Sequence, residues 1–179
     1  YPIVKIGTQY WMREDLCATA YRDGTTLNKQ TQLGEGAGYF RPQSTETYFY
    51  NGEAVLEGEL APAGWKIPDS DDWQALKEYT KDGASILKTG EWEVLKEGDT
   101  IDSGSNLTGF SAYPVGIWGA GKNISQKQLV CYWTLNETEN SIPEQSISFT
   151  GSSTKFSVAA THVKNETYYK AFSIRCIKE

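Results

Sequence analysis

The 179-residue sequence has one histidine, His162, and one methionine. A Ser–His–Asp triad or a histidine-based metal site would have to be built on His162. That residue sits in a β-like stretch beside Val163, with no nucleophile signature nearby, and we read it as a surface strand histidine. Cysteine is also scarce: Cys17, Cys131 and Cys176, with no C-x-x-C pair. Zinc ribbons and dithiol redox chemistry are thereby excluded, and three thiols are too few for a disulfide framework. One bridge plus one buried thiol is the simplest arithmetic. No apolar run approaches the about 18 residues that a bilayer span requires. Basic residues number 17 against 23 acidic ones, for a net charge of −6. That sign is wrong for a protein that holds nucleic acid by neutralising phosphates. The chain opens Tyr1-Pro2-Ile3 without a Met, which we read as a processed start from which any export signal has been removed.

Aromatic residues are what the sequence has in plenty. There are 6 Trp, 11 Tyr and 6 Phe, together with 17 Gly. This composition suits a loop-rich, sheet-containing extracellular domain. A chain of this length forms one domain, 1–179, and buries enough surface to fold without a metal or a disulfide. Residues 3–11 are β-branched and aromatic and predict a first strand. Residues 28–46 and 96–109 read as loops, and Asn51-Gly52 as a turn. Asp69 after Pro68 predicts a capped helix, with Trp73, Leu76 and Tyr79 facing inward and Gly83 stopping it. A short second helix is expected over Ala84–Lys88. From Leu129 to Leu135 the text alternates, placing Leu129, Cys131, Trp133 and Leu135 on one face. Residues 146–150, 156–163 and 169–177 are further strands. The fold class is α+β: two helices packed on a mainly antiparallel sheet with long loops.

Several motifs tempt a chemical reading. Gly116 to Lys122 matches the spacing of a phosphate-binding loop. Asn123 follows where a Ser or Thr should bind Mg²⁺, and the next residues read as turn and strand, so we take a Gly-rich hairpin bend instead. Asp69, Asp71 and Asp72 are better explained as a helix start than as a metal site. Glu97, Asp99, Asp102 and Asn106 crowd one loop. Ca²⁺ there is the weaker alternative to a solvated loop, because the spacing matches no EF-hand. No cofactor is therefore expected. With 23 acids, a glycosidase-type carboxylate pair can be imagined, but nothing marks which pair.

Seven segments in order resemble a known family. They are Ile6 to Leu16 (IGTQYWMREDL), Tyr48 to Ala54 (YFYNGEA), Pro62 to Pro68 (PAGWKIP) with Trp73 and Leu76, Gly83 to Lys88 (GASILK), Gly109 to Gly116 (GFSAYPVG), Tyr132-Trp133, and Ser173 to Cys176 (SIRC). The order is similar to the Fibrobacter succinogenes major paralogous domain of Fibrobacter and Bacteroidetes surface proteins. The resemblance implies an exported cell-surface protein, often a lipoprotein or part of one. Lys66 to Trp73 is also similar to the strand-turn-helix of formylglycine-generating-enzyme-like domains. That implies a C-type lectin-like fold with a sheet joining the chain termini and a loop-rich half that binds ligands. The reactive cysteine pair of those enzymes has no counterpart here, so the likeness carries fold and not activity. The family usually has a cysteine where this chain has Ala61, bridged to the one at Cys176. Cys17 or Cys131 could replace the missing partner, or all three could be free; Cys17–Cys176 is the pairing we expect. Asp99-Thr100-Ile101 resembles the O-glycosylation acceptor of exported Bacteroidetes proteins.

The aromatics divide. Trp11, Trp65, Trp73, Phe110 and Trp133 fall in the family segments and are expected in the core, while Tyr48 and Tyr50 are ambiguous. Trp118, Tyr168 and Tyr169, with Asn165, lie in or beside loops and form the expected ligand-binding set, because an aromatic face with a polar handle suits sugars and protein partners alike. The functional expectation is a non-enzymatic surface recognition domain whose partner is a glycan or a surface protein. A structural or tip module of a surface appendage or outer-membrane complex is the alternative, and a glycan-acting enzyme the third.

Overall fold

The structure is a computed structural model that describes residues 1–34, 36–43, 45–81, 83–135, 145–160 and 170–179. Among them, the chain opens on a tight hairpin, β1 (Ile3–Ile6) and β2 (Gln9–Met12), so the expected first strand is folded back on itself. Gly7 makes the bend at φ 60, a conformation that L side chains seldom adopt. Within the expected loop 28–46 lie two short strands, β3 (Asn28–Lys29) and β4 (Gly38–Phe40), followed by β5 (Phe49–Tyr50). Helix α1 (Gly52–Glu57) comes next, then β6 (Trp65–Lys66) and helix α2 (Ser70–Tyr79). The remaining strands are β7 (Ile117–Gly119), β8 (Lys122–Ile124), β9 (Leu129–Trp133), β10 (Gln145–Thr150), β11 (Ser157–Ala160) and β12 (Ile177–Lys178).

Among the described residues the α+β class with two helices holds, but the single sheet becomes four small ones. Strands β1-β2-β12-β6 form an antiparallel sheet that joins the two ends of the chain. The others are β11-β10-β9, β3-β4-β5 and the β7-β8 hairpin, and among the pairings of these described strands only β3–β4 is parallel. Two helix expectations need correcting. Asn51-Gly52 is not a turn: the Asn51 side chain accepts the Ala54 N–H and starts α1. Residues 84–88 are a turn and bridge segment rather than a helix, because Lys88 runs inward. No helix among the described residues is long and apolar enough to cross a membrane.

Strand β9 organises the interior. Cys131 and Trp133 enter one core cluster, with Leu129 and Leu135 packed against it, as the alternation predicts. Val130 and Tyr132 are equally buried on the opposite face, in a second cluster with Trp11, Trp73, Phe110 and Phe149. A strand covered on both faces reads as a continuous apolar run, and LVCYW is one. The rings of the second cluster meet directly: Trp11 and Trp73 at 4.9 Å, Trp73 and Tyr132 stacked at 5.9 Å. Of the five aromatics expected in the core, Trp65 alone is only partly buried.

Two buried cations pin the loops. Lys88 is fully buried, and its ammonium donates to the Thr150 carbonyl at 2.9 Å, the Ser153 carbonyl at 3.0 Å and Asp102 at 2.8 Å. It also lies 4.9 Å from the Trp92 ring centre. Burial pushes its ammonium down from its ordinary range, and Asp102 works against that shift. Asp102, from the oxygen-rich loop, is further held by the Ser85 hydroxyl at 2.6 Å. The second cation, Arg175, belongs to the site described below.

Helix α2 starts as the sequence implies. Asp69 accepts the Asp72 N–H at 2.9 Å, and Asp72 reaches back to the Asp69 N–H at 3.1 Å. Lys66 bridges both carboxylates, at 2.6 and 2.8 Å. Trp73 and Leu76 are buried, but Tyr79 is not: it ends the helix and covers Gly7 from outside. Desolvation would raise the Asp69 carboxyl, but Lys66 and the Asp72 N–H outweigh it and hold it below the usual range. A carboxyl lowered in the folded state adds stability that is complete above its unfolded pKa of about 3.9 and is lost as pH falls through the folded value. Asp69→Ala is therefore expected to cost about 1–2 kcal/mol at neutral pH. Urea unfolding should show that difference closing below about pH 4.

Candidate functional site

A cleft of about 450 Å³ opens where four separate segments meet. The stretch after β2 supplies Arg13 to Cys17, the approach to β5 supplies Glu46 to Tyr48, and Ser111, Tyr113 and Val115 form the far wall. Arg175 lies at the base.

The base is built from a buried ion pair. The Arg175 guanidinium is fully buried and donates to Asp15 Oδ1 through Nε at 2.9 Å and Nη2 at 2.5 Å. Its other hydrogens go to the carbonyls of Met12, Phe110 and Ser111 and to the Tyr132 hydroxyl. Its plane lies 4.6 Å from the Phe110 ring centre and 5.4 Å from that of Tyr132. Burial pushes the Tyr132 phenol well above its ordinary range, so it stays neutral beside the cation.

The walls are held as firmly. Ser111 has a left-handed backbone, φ 60, which a residue with a side chain adopts only under constraint. Asn106 supplies the constraint: it accepts the Ser111 N–H at 2.8 Å and donates to the Ser111 hydroxyl at 3.0 Å. Tyr48 stacks on Tyr39 at 5.4 Å, and the Arg41 guanidinium lies 5.4 Å from the Tyr48 ring centre. Arg41 is in turn paired with Glu46. Tyr113 is 52% exposed, and its ring fills the space where a side chain on Gly90 would stand. Tyr113 thus offers an exposed ring and Tyr48 a half-buried one, among Arg13, Glu14, Glu46 and Ser111. Asp15 is held by Arg175 through Oδ1.

This arrangement gathers the family segments around one feature: the IGTQYWMREDL, YFYNGEA, GFSAYPVG and SIRC stretches all line the cleft. The family model of the Fibrobacter succinogenes major domain matches residues 4–178. The chain belongs to that family. Neither a curated protein nor a solved structure gives a significant match. In this Fibrobacter succinogenes major domain, four of the stretches that carry the resemblance meet at one cleft.

Of the four residues expected to bind a ligand, Trp118 alone lies among the described residues. Trp118 is not an open loop aromatic. It lies on β7, is 9% exposed and stacks on Phe40 at 5.4 Å. The strand pairing Trp118↔Ala171 draws its backbone inward, and its ring joins Phe40, Phe49 and Ala171 in a third core cluster. Asn165, Tyr168 and Tyr169 lie outside the described residues, as does His162. The G-x-x-x-x-G-K stretch is the β7-β8 hairpin, with Asn123 donating to the Val115 carbonyl at 3.0 Å. Asp99, Thr100 and Ile101 are all exposed. Sequence reasoning missed Asp15, Tyr113 and Arg175. A signal existed for the last: a charge between Ile174 and Cys176-Ile177 in an apolar stretch needs a buried partner.

The expected Cys17–Cys176 bridge is not formed, and all three cysteines are free. Cys176 is buried in the first core cluster, whereas Cys17 is exposed at the cleft with its sulfur 3.0 Å from the Tyr1 hydroxyl. Burial pushes the Cys131 and Cys176 thiols up to about 12. Iodoacetamide on the folded protein is therefore expected to label Cys17 alone. Mass spectrometry should find Cys131 and Cys176 modified only after unfolding.

A second prediction concerns the base of the cleft. Removing one partner of a buried pair strands the other, so Asp15→Ala should cost about 3–5 kcal/mol in urea unfolding. Asp15→Asn keeps an acceptor for Arg175 and should cost less.

Proposed function

We propose that this domain is a non-enzymatic recognition module of a bacterial cell surface, exported as a lipoprotein or as part of one. Its ligand is a glycan, bound in the cleft between Tyr48 and Tyr113. The observation that carries this reading is the exposed Tyr113 ring, set in one cleft with the half-buried Tyr48 and a rigid polar base. Sugar rings present apolar C–H faces and a rim of hydroxyls, and the cleft supplies aromatic surface and both donors and acceptors. The base is fixed before any ligand arrives, which lowers the ordering cost of binding. The family implies the surface location and a C-type lectin-like scaffold. A loop-built site on a scaffold whose sheet ties the termini together is consistent with that fold.

A second reading has its own observation. Strand β1 is an edge of the terminal sheet, and Ile3 on it is 53% exposed. An open edge with an apolar side chain accepts a strand from a neighbour, as a structural module of an appendage would require.

Glycan-array screening followed by titration of the best hit separates the two. The recognition reading expects Tyr113→Ala and Tyr48→Ala each to weaken binding about tenfold or more, with the melting temperature of Tyr113→Ala little changed. A blank array with folded protein would turn the choice to the structural module. That module should self-associate, or capture a partner, through β1, and Ile3→Lys should abolish the association.

A further inference from the structure

The charges that line the cleft do not all cancel within it. Arg175 is met by Asp15 at the base, and Glu46 by Arg41. Arg13 and Glu14 are the charged lining residues left over. Both are exposed, and neither has an ion-pair partner among the described residues.

Of these two, Arg13 is the one held in place. Its Nε donates to the Gly109 carbonyl at 3.1 Å. The Ser111 hydroxyl donates to the same oxygen at 3.3 Å. The next two carbonyls, of Phe110 and Ser111, accept from Arg175. Two guanidinium groups thus grip three consecutive carbonyls. Arg13 is thereby fastened to the wall that carries Ser111 and, two residues on, the exposed Tyr113. A guanidinium has five donors, and the Nε bond uses one. The Nη hydrogens of Arg13 have no acceptor among the described residues. No hydrogen bond among those residues holds the Glu14 side chain.

An aromatic ring and an anchored guanidinium on one wall suit a pyranose that carries a carboxylate. The apolar face of the sugar lies on Tyr113, and the carboxylate accepts from the planar fork of Arg13. A cationic sugar would have only Glu14 to meet it, and ordering a free side chain costs about 0.5–1.5 kcal/mol. We propose that the glycan held by this cleft is acidic, with a uronic or sialic acid unit whose carboxylate pairs with Arg13. This rests on the glycan reading of the cleft and names its substrate class.

The test titrates the full ¹⁵N-labelled chain with trigalacturonic acid and with sialyllactose, each against its own methyl ester, and with lactose and the neutral glycans of the array. At low ionic strength at least one acid is expected to bind about fivefold or more tighter than its ester. Which acid does so separates a uronic from a sialic ligand. The ratio should shrink in high salt, as an exposed ion pair requires. Arg13→Gln should bring the ratio close to one. Glu14→Gln removes a repelling carboxylate and should raise it about twofold. Equal affinity for acid and ester, or neutral glycans bound and no acid, would overturn the inference and leave the glycan reading standing. No glycan bound, acidic or neutral, would remove that reading and the inference with it. A ratio untouched by Arg13→Gln, or lowered by Glu14→Gln, would overturn the assignment to Arg13.

Discussion

A guanidinium with no access to solvent is the constraint on which this structure turns. Arg175 cannot shed its proton, so its charge must be met inside the protein. Desolvating an ion costs several kcal/mol, and the cost is recovered only when every hydrogen is placed. Here the acceptors come from the end of β2, from Asp15 just beyond it, from residues 110–111 and from Tyr132 on β9. Four stretches far apart in the chain must therefore arrive together. The hydrophobic clusters alone would tolerate some sliding, because apolar burial is non-directional. The directed hydrogen bonds of one cation remove that freedom and set the base of the cleft.

The core supplies the material against which this constraint acts. Strand β9 is covered on both faces, so the clusters it separates share one backbone. Trp133 on one side donates to the Tyr50 carbonyl at 2.8 Å and packs on Phe172 at 4.9 Å. Tyr132 on the other side stacks on Trp73 and meets Arg175 through its hydroxyl. A shift of β9 by one residue would exchange these neighbours entirely. The abundance of Trp and Tyr is thus mainly architectural: large rings that fill space, several of which, such as Trp133, Tyr50 and Tyr132, also use a polar handle to fix orientation.

Legibility followed the range of the interactions. Helix α2 was readable because its cap, its counter-charges and its buried face all lie within a few residues. Strand β9 was readable because alternation is local, although its second buried face was not. Helix α1 was hidden because Asn51 serves two masters: it accepts the Ala54 N–H and also the Gly38 N–H from thirteen residues earlier. Only the distant contact distinguishes a cap from a turn. Trp118 looked exposed for the same reason. Its burial depends on Phe40 and on a pairing with Ala171, neither of which a three-residue strand announces. The cleft was the least legible feature, since its walls come from segments up to 160 residues apart, as Asp15 and Arg175 are. The family resemblance located those segments without saying that they meet.

Lys88 and Arg175 solve one problem in two places. Residues 89–113 form neither helix nor named strand, and backbone groups left without a regular ladder need other partners. Each cation gathers carbonyls from strand ends and from irregular chain, and neutralises its charge on one carboxylate, Asp102 for Lys88 and Asp15 for Arg175. The loops are thereby ordered from beneath while their outer surfaces remain free. Tyr113 and Ser111 show the consequence. Their backbone is fixed by buried contacts, yet their side chains face a cleft whose outer residues bear little structural duty. A surface built this way can vary its outer side chains with little cost to the fold, because the groups that order the loops lie mostly beneath it.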